Sequence, residues 1–467
     1  MTAATVTAPA AAAAAAGAAA DGALRVGILG GGALGLAAAL RLVQAGCRVT
    51  VLEREARLGG LAVGFRVGQS DLEKFYHHIF GTDTAVTGLI AELGLSHRLV
   101  WAHPDTSVLW GGRRAGLDSP ADVLRFPFLP PLDRLRLAAS LAVLKLAPDE
   151  RPFAGQTAAA WIRRVMGRRV YAVLWEPLLR GKFGARAEEI AMSWFWSRIH
   201  ERTTNLGYLR GGFQQLYDAL GARIQTLGGR VLTETAATSL TAAGGAGGAG
   251  GVAVETTGPG GATGRHVFDR LLVTLPTPLF ARLAAAPGGA ALPPDWIARF
   301  VDGGPDHYAA HCAVLALDRP LLPAVYWLNV NDPGYPFLAF VEHTNLMPPE
   351  DYGGRHLIYL GNYVPPGDRL MTEPAAATRE RMLAALPRLR PDFDPAWVTD
   401  SWMFKAPYAQ PIVTTDYLRR LPPHATPLPG VYLANMAHVY PQDRGQNYSL
   451  RLGQRMAQQI LAGAARR

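Results

Sequence analysis

Leu24-Arg-Val-Gly-Ile-Leu-Gly-Gly-Gly-Ala-Leu-Gly35, followed by Arg48-Val-Thr-Val-Leu-Glu53, is the stretch whose reading decides the fold. Val26, Ile28 and Leu29 form a short apolar run of the kind found in buried parallel strands, and Gly30, Gly32 and Gly35 follow at the spacing G-x-G-x-x-G. In that spacing Gly30 permits the tight turn, Gly32 lets the backbone approach a pyrophosphate, and Gly35 lets the next helix lie against the strand. The spacing predicts a helix over 33–45, with Leu36, Leu40 and Val43 on one face and Gly46 as its C-cap. Its first N–H groups, at Ala33 and Leu34, would point at the phosphates. Strand 48–52 ends at Glu53, a carboxylate placed to accept hydrogen bonds from ribose hydroxyls. Among 51 glycines such a spacing can arise by chance, so its position between strand and helix carries the weight.

Glu53-Arg54-Glu55-Ala56-Arg57-Leu58-Gly59-Gly60-Leu61 extends the reading. Two adjacent glycines after a basic residue offer unhindered backbone N–H donors, and Arg54 and Arg57 can add positive charge. Either arginine alone reads equally well as a solvated surface charge. This stretch resembles the E-x-x-x-x-x-G-G element of the FAD-containing amine oxidase and protoporphyrinogen oxidase superfamily. The resemblance implies FAD rather than NAD, with Gly59, Gly60 and Leu61 making a second close approach to the cofactor. It also implies an α/β fold: a Rossmann-like, GR2-type FAD-binding domain interleaved with a mixed-sheet substrate domain and a helical subdomain.

The chain has 467 residues, 49% of them hydrophobic, which is long enough for two or three interleaved domains. Its 46 Lys and Arg exceed the 37 Asp and Glu, but the excess is spread as Arg over the whole chain, without a basic stripe or a helix-turn-helix or zinc-finger spacing. A small-molecule substrate is therefore expected, and nucleic acid is not. Cys47 and Cys312 lie far apart in apolar stretches, which excludes a disulfide framework or a Cys-based metal site and suits a reducing, cytoplasmic setting. The Ala-rich start, with no Lys or Arg before Arg25, lacks the pattern of a secretory signal and reads as a disordered tail over 1–23. No apolar run approaches the ~20 residues that span a bilayer. Arg125-Phe-Pro-Phe-Leu-Pro-Pro, leading into a basic amphipathic helix to about Leu146, is the segment (125–146) that could graze a membrane or admit a lipid substrate. The alternative is a helix packed on its own domain.

The expected organisation assigns 24–81, 205–285 and 428–467 to the FAD-binding domain, 82–204 to a mainly helical subdomain, and 286–427 to a substrate-binding sheet. A helix is predicted around 82–94, closing at Gly94. Gly211-Gly-Phe213 precedes a helix carrying Leu216, Leu220 and Ile224, and the turn and strand after Gly228 resemble the superfamily segment in which a residue near Ala237 contacts the adenine. The Gly/Ala run 241–251 reads as a hairpin tip. Strands are expected at 311–317, 325–329, 337–342, 356–363, 402–405 and 430–435, with a closing helix from about Asn447 to Ala462.

Tyr76-His77-His78-Ile79-Phe80-Gly81-Thr82 carries the first chemical candidate. His78-Ile79-Phe80 with Thr82 resembles the H-I-F-H-T motif of UDP-galactopyranose mutases, whose His lies near the flavin; Gly81 stands where that motif has its second His. An imidazole there could hydrogen-bond the cofactor or move a proton. Val341-Glu342-His343-Thr344-Asn345 is a dense polar run at a strand end. Strand alternation would put Glu342 and Thr344 on one face and His343 and Asn345 on the other, one pair toward the substrate, with Glu342 or His343 as a general base. A polar exit into a loop is the equal alternative. Tyr359, Asn362, Tyr363 and Lys405 complete the polar set, Lys405 because the superfamily sometimes places a Lys near flavin N5. In Tyr440-Pro-Gln-Asp-Arg-Gly-Gln-Asn-Tyr448, Asn447 reads as the N-cap of the last helix, whose N-terminus the resemblance aims at the flavin pyrimidine edge. The family's acidic G-D before this segment is replaced by Ala434-Asn435, leaving Asn435 or Asp443 to take its contact, with Arg444 and Tyr448 nearby. The resemblance implies an FAD-dependent oxidoreductase that takes a hydride from a C–N or C–C bond; the alternative is a mutase-like isomerase of a nucleotide- or lipid-linked sugar.

Overall fold

The computed structural model describes residues 22–243 and 251–464. The N-terminal segment through residue 21 and the middle of the Gly/Ala run therefore lie outside the described residues. Strands Arg25–Leu29, Arg48–Leu52, Arg230–Leu232, Arg270–Val273 and Val431–Leu433 form one parallel sheet, in the order 230–232, 48–52, 25–29, 270–273, 431–433. Both its faces are covered, which is why its strands are near-continuous apolar runs. Val26 and Ile28 face helix Ala33–Gln44 and the closing helix Gln446–Ala464, in a core with Leu36, Leu40, Met456 and Ile460. Leu29, Val273 and Leu433 face an antiparallel sheet of Ala236–Ala243, Gly251–Thr257 and Thr263–Phe268. Helix 84–92 is found inside the predicted 82–94, and helix Gln214–Thr226 carries its Leu216, Leu220 and Ile224 face inward.

The second sheet has seven strands, ordered 398–411, 307–317, 356–364, 339–342, 327–330, 106–110, 113–116. Its last two strands, Thr106–Trp110 and Arg113–Gly116, come from the region expected to be helical, and they join the sheet through the parallel pairing of Trp327 with Thr106. Residue parity sorts the faces. Cys312, Val314, Trp327, Val341 and Tyr359 look toward the dinucleotide-type unit, while Ala313, Leu315, Leu328, Phe340 and Ile358 pack beneath helix Ala375–Ala385 through Met382 and Leu383. A third core, containing Phe126, Trp161, Trp194 and Phe195, holds the helices between residues 120 and 200. In helix Pro131–Leu146, Leu137, Ser140 and Leu144 face that core. Leu132 and Leu146 on its other side are 69% and 83% exposed.

Candidate active site

The glycine turns meet at the C-terminal edge of the parallel sheet. Gly30, at φ 107°, turns the chain out of the first strand, and a Cβ on Gly35 would lie 2.1 Å from the Gly30 carbonyl oxygen. Only glycine lets the helix start this close. Gly59, at φ 120°, donates its N–H to Gly31 O at 2.9 Å, and a Cβ on Gly60 would sit 3.2 Å from Gly32 Cα. The two turns thus abut with no side chain between them, and a Cβ would fill that cradle. Glu53 closes its flank: one carboxylate oxygen accepts from Gly31 N at 2.6 Å, the other from Glu55 N at 2.8 Å. Arg54 is exposed and paired with Glu55, and Arg57 donates to Asp71 at 2.7 Å and to Gly64 O at 2.9 Å. Tyr217 packs on Gly59 and donates to Gln446 Oε1 at 2.5 Å, leaving the buried Gln446 Nε2 at the start of the closing helix without a partner among the described residues. A bare backbone cradle, a helix N-terminus beside it and an unpartnered buried amide suit a dinucleotide with polar ring edges.

Beyond Gly60, Leu61, Phe75 and Tyr363 pack on Ala310, Ala406 and Ala409 of the second sheet. From Tyr363 a wall of rings runs outward. Its hydroxyl lies 3.5 Å from that of Tyr76; Tyr76 meets Trp327 edge to face at 4.8 Å, and Trp327 meets His78 at 5.9 Å. His78 Nδ1 lies 3.3 Å from the Tyr326 hydroxyl. Burial pushes His78 down to about 3 and His77, which binds Phe75 O, down to about 4, with neighbouring Arg198, Arg202 and Arg444 acting the same way. Both imidazoles are neutral at pH 7.

Cations line the other side of this space. Asp443 accepts from Lys182 Nζ at 2.5 Å, Arg198 at 2.8 Å and Trp194 Nε1 at 3.2 Å. Burial alone would raise the Asp443 carboxyl, yet Lys182 and Arg198 hold it below the usual carboxylate range. Burial pushes Lys182 down to about 7 against the pull of Asp443. Arg444 donates to Ala409 O at 2.8 Å and to the Tyr363 hydroxyl, its guanidinium 4.7 Å from that ring centroid. Lys182, Trp194, Arg198, Arg202, Tyr326 and Trp327 did not stand out in the sequence. The available signal was a cation four residues after a tryptophan in an otherwise apolar helix, Trp194 to Arg198.

The polar strand end is placed elsewhere, which corrects the expectation drawn from alternation. The strand stops at Glu342 and residues 343–345 form a 3-10 turn. Glu342, on the face away from the glycine cradle, accepts from Leu321 N at 2.8 Å and Leu322 N at 2.5 Å, and burial raises it to about 7. His343 is buried against Tyr208, Tyr352 and Tyr359, with its Nε2 2.7 Å from the Tyr352 hydroxyl and its pKa pushed by burial to about 3. Asn345 donates to Leu322 O and Val325 O at 2.9 and 2.8 Å. Lys405 alternates with Trp402, Phe404 and Ala406 to the far face, where it binds Met371 O and Glu373 O at 3.2 and 2.9 Å. Asn362 shares that face and donates to Pro336 O, whereas Tyr359 donates to Glu73 O at 2.9 Å.

Four cofactor candidates are held by the fold as well. Asn435 joins the strand ends by donating to Leu275 O at 2.9 Å and accepting from Ala437 N at 3.0 Å. Asn447 is not the N-cap of its own helix, which begins at Gln446; its Oδ1 accepts from Ala85 N at 2.9 Å and Val86 N at 3.3 Å, capping helix Thr84–Glu92 instead. Ala237 sits at an irregularity in the pairing of strand Ala236–Ala243. Tyr448 packs on the core beneath the cradle, and burial raises its hydroxyl.

A glycine cradle on a parallel sheet, faced by a second sheet that supplies an aromatic floor, defines the two-sheet flavoprotein class. Residues 35–461 match the flavin-containing amine oxidoreductase family, and the chain belongs to it. It is an FAD-dependent oxidoreductase. No curated protein matches this chain. Among solved structures, an oxidoreductase from Methanosarcina mazei is 19% identical with a TM-score of 0.71, covering 93% of this chain and 100% of that one. Cyclohexylamine oxidase from Brevibacterium oxydans is 16% identical with a TM-score of 0.67, covering 95% and 100%. A reduced UDP-galactopyranose mutase is 14% identical with a TM-score of 0.68, covering 94% of each. At these identities the likeness is one of fold. Among the described residues no helix is long and apolar enough to cross a membrane.

Proposed function

We propose that this chain oxidises a small organic substrate at a C–N or C–C bond held against the wall of Tyr76, His78, Trp327 and Tyr363. FAD, when bound, supplies the hydride acceptor. The observation that carries the reading is continuity: Leu61, next to Gly60 of the cradle, packs on the same alanines, Ala310, Ala406 and Ala409, as Tyr363, the first ring of that wall. His78, kept neutral by burial, orients a substrate or cofactor oxygen by hydrogen bonding and is too weak a base to take a proton at pH 7. The aromatic rings exclude water and fix the substrate plane. Among the described residues, segments 24–81, 205–285 and 428–467 make the cofactor half, and 286–427 with strands 106–110 and 113–116 the substrate half, with the helices of 82–204 as its cover.

Anaerobic mixing of holoenzyme with substrate is the test. Loss of the oxidised-flavin absorbance in proportion to substrate is expected, with a slower single turnover in His78→Ala. Turnover that requires prior chemical reduction and leaves the flavin reduced would establish the isomerase alternative, which the His78-Ile79-Phe80 segment favours.

Two finer readings accompany this one. Leu124, Leu132, Leu135, Val143 and Leu146 form an exposed apolar strip beside Arg125 and Arg134 that suits an anionic lipid surface. Sedimentation with anionic vesicles, abolished by Leu135→Glu with Leu146→Glu, is the expected result; unchanged sedimentation removes the reading. Cys47 and Cys312, buried and free, suit a reducing, cytoplasmic setting.

A further inference from the structure

The space between the aromatic wall and helix Met192–His200 is surrounded by fixed positive charge. Arg198, Arg202 and Arg444 all act on the groups of the wall: Arg198 and Arg202 on His78, Arg444 on His77 and Tyr76. Guanidinium groups stay protonated throughout the working range of pH. Their carboxylate partners are fewer. Asp443 is shared between Lys182 and Arg198, and Asp118, whose charge acts on Arg202, accepts a hydrogen bond from Thr106 N. The Arg202 side chain is partly buried and makes no hydrogen bond or ion pair among the described residues. The Arg198 side chain is 35% exposed. Burial and then repulsion from Arg198 lower Arg202 to about 10, and burial with repulsion from Arg198 lowers Arg444 to about 10, so an anion beside them would favour both cations.

Resting on the flavoprotein reading above, we infer that the substrate carries an oxyanion, a phosphate or carboxylate group, bound by Arg202 and Arg198 beside the His78 wall. A guanidinium with free N–H groups matches two oxygens of such a group at once. An ammonium substrate would meet like charge there instead, so within an amine oxidoreductase family this chain is fitted to an acid rather than to a cationic amine. Arg198 and Arg202 position the substrate and take no part in bond breaking.

The test uses FAD-loaded enzyme at constant ionic strength, titrated with inorganic diphosphate, succinate or butylammonium while the visible flavin spectrum and equilibrium dialysis report binding. Saturable binding of diphosphate or succinate is expected, and the tighter of the two identifies phosphate or carboxylate as the group. Arg202→Gln should weaken it at least tenfold and Arg202→Lys less. Binding of butylammonium in place of the oxyanions, or oxyanion binding equal in Arg202→Gln and the parent, overturns the inference. FAD content, measured on each sample after heat release, separates the two readings: protein that does not retain FAD speaks against the flavin site, whereas full FAD without oxyanion binding speaks against this inference alone.

Discussion

Gly32 and Gly35 belong to one motif but do different physical work, and alanine at each should separate the two. A Cβ on Gly35 would overlap the Gly30 carbonyl at 2.1 Å and press Ile28 Cγ2 at 3.1 Å. The obstruction is backbone, so helix Ala33–Gln44 must move by more than an ångström against its packed neighbours. Overpacking of this kind costs ~1–3 kcal/mol, and a backbone clash belongs at the upper end. Gly32, by contrast, has φ −80° and ψ 177°, open to any residue, and its nearest obstacle is Gly60 Cα at 3.7 Å. Its alanine gains ~0.4–1 kcal/mol from a stiffer unfolded chain and loses a similar amount as a poor N-cap, leaving the apoprotein nearly unchanged. The methyl group then fills the cradle. Lengthening two charge-assisted hydrogen bonds worth ~1.5 kcal/mol each would weaken FAD binding by about 10²-fold. Urea denaturation of apoprotein and flavin-fluorescence titration measure the two quantities. Gly32→Ala protein that binds FAD as tightly as the parent would falsify the placement of the cofactor; Gly35→Ala protein with parental stability would refute the packing argument.

Asn447→Ala should cost ~1 kcal/mol by uncapping helix Thr84–Glu92, while Asn447→Asp, which keeps the acceptor, should retain most of it in the same urea titration. His343, 2% exposed, has its pKa lowered by burial to about 3, against ~6.5 when unfolded. Between those values the unfolded chain binds more protons, so stability rises with pH across the window: the contribution is complete above ~6.5 and lost toward 3, at up to ~1.4 kcal/mol per pH unit. His343→Gln should flatten that acid limb by this amount in denaturation series between pH 4 and 7, without changing the rate of flavin reduction. Lys405→Ala, on the far face of the sheet, should likewise leave the reductive rate at the parental value in anaerobic stopped flow.

Much of the fold is legible in the sequence because its signals are local. Gly30, Gly32, Gly35 and the pair 59–60 encode turns that depend on a few neighbouring dihedrals, and the apolar run 26–29 encodes a strand covered on both faces. What is not legible is pairing over long separations. Thr106–Trp110 sits in the segment 82–204 that reads as mainly helical, and the facing strand Trp327–Val330 turns it into part of the substrate sheet. Parity is the second obstacle. Alternation shows that Phe404 and Lys405 point opposite ways, but the core that buries Phe404 is built partly from Phe65, distant in the chain, and decides which way is inward.

The candidate site illustrates why dense polarity is a weak guide and unused hydrogen-bonding capacity a stronger one. Glu342 attracted notice as a carboxylate in an apolar setting, yet both its oxygens are taken by the amides of Leu321 and Leu322, and Asn345 and Lys405 are similarly committed to carbonyls. A buried polar group with every partner in place stabilises the fold and has little left for a ligand. Gln446 Nε2 is the reverse case, a buried donor without an acceptor, and Arg202, half-buried, makes no side-chain hydrogen bond among the described residues. Leaving such groups unpaired costs free energy that folding alone does not recover. They are therefore the positions where a bound molecule returns the most, one beside the glycine cradle and one beside His78. Neither is marked by a sequence motif, since what distinguishes them is the missing partner, which only the folded chain reveals.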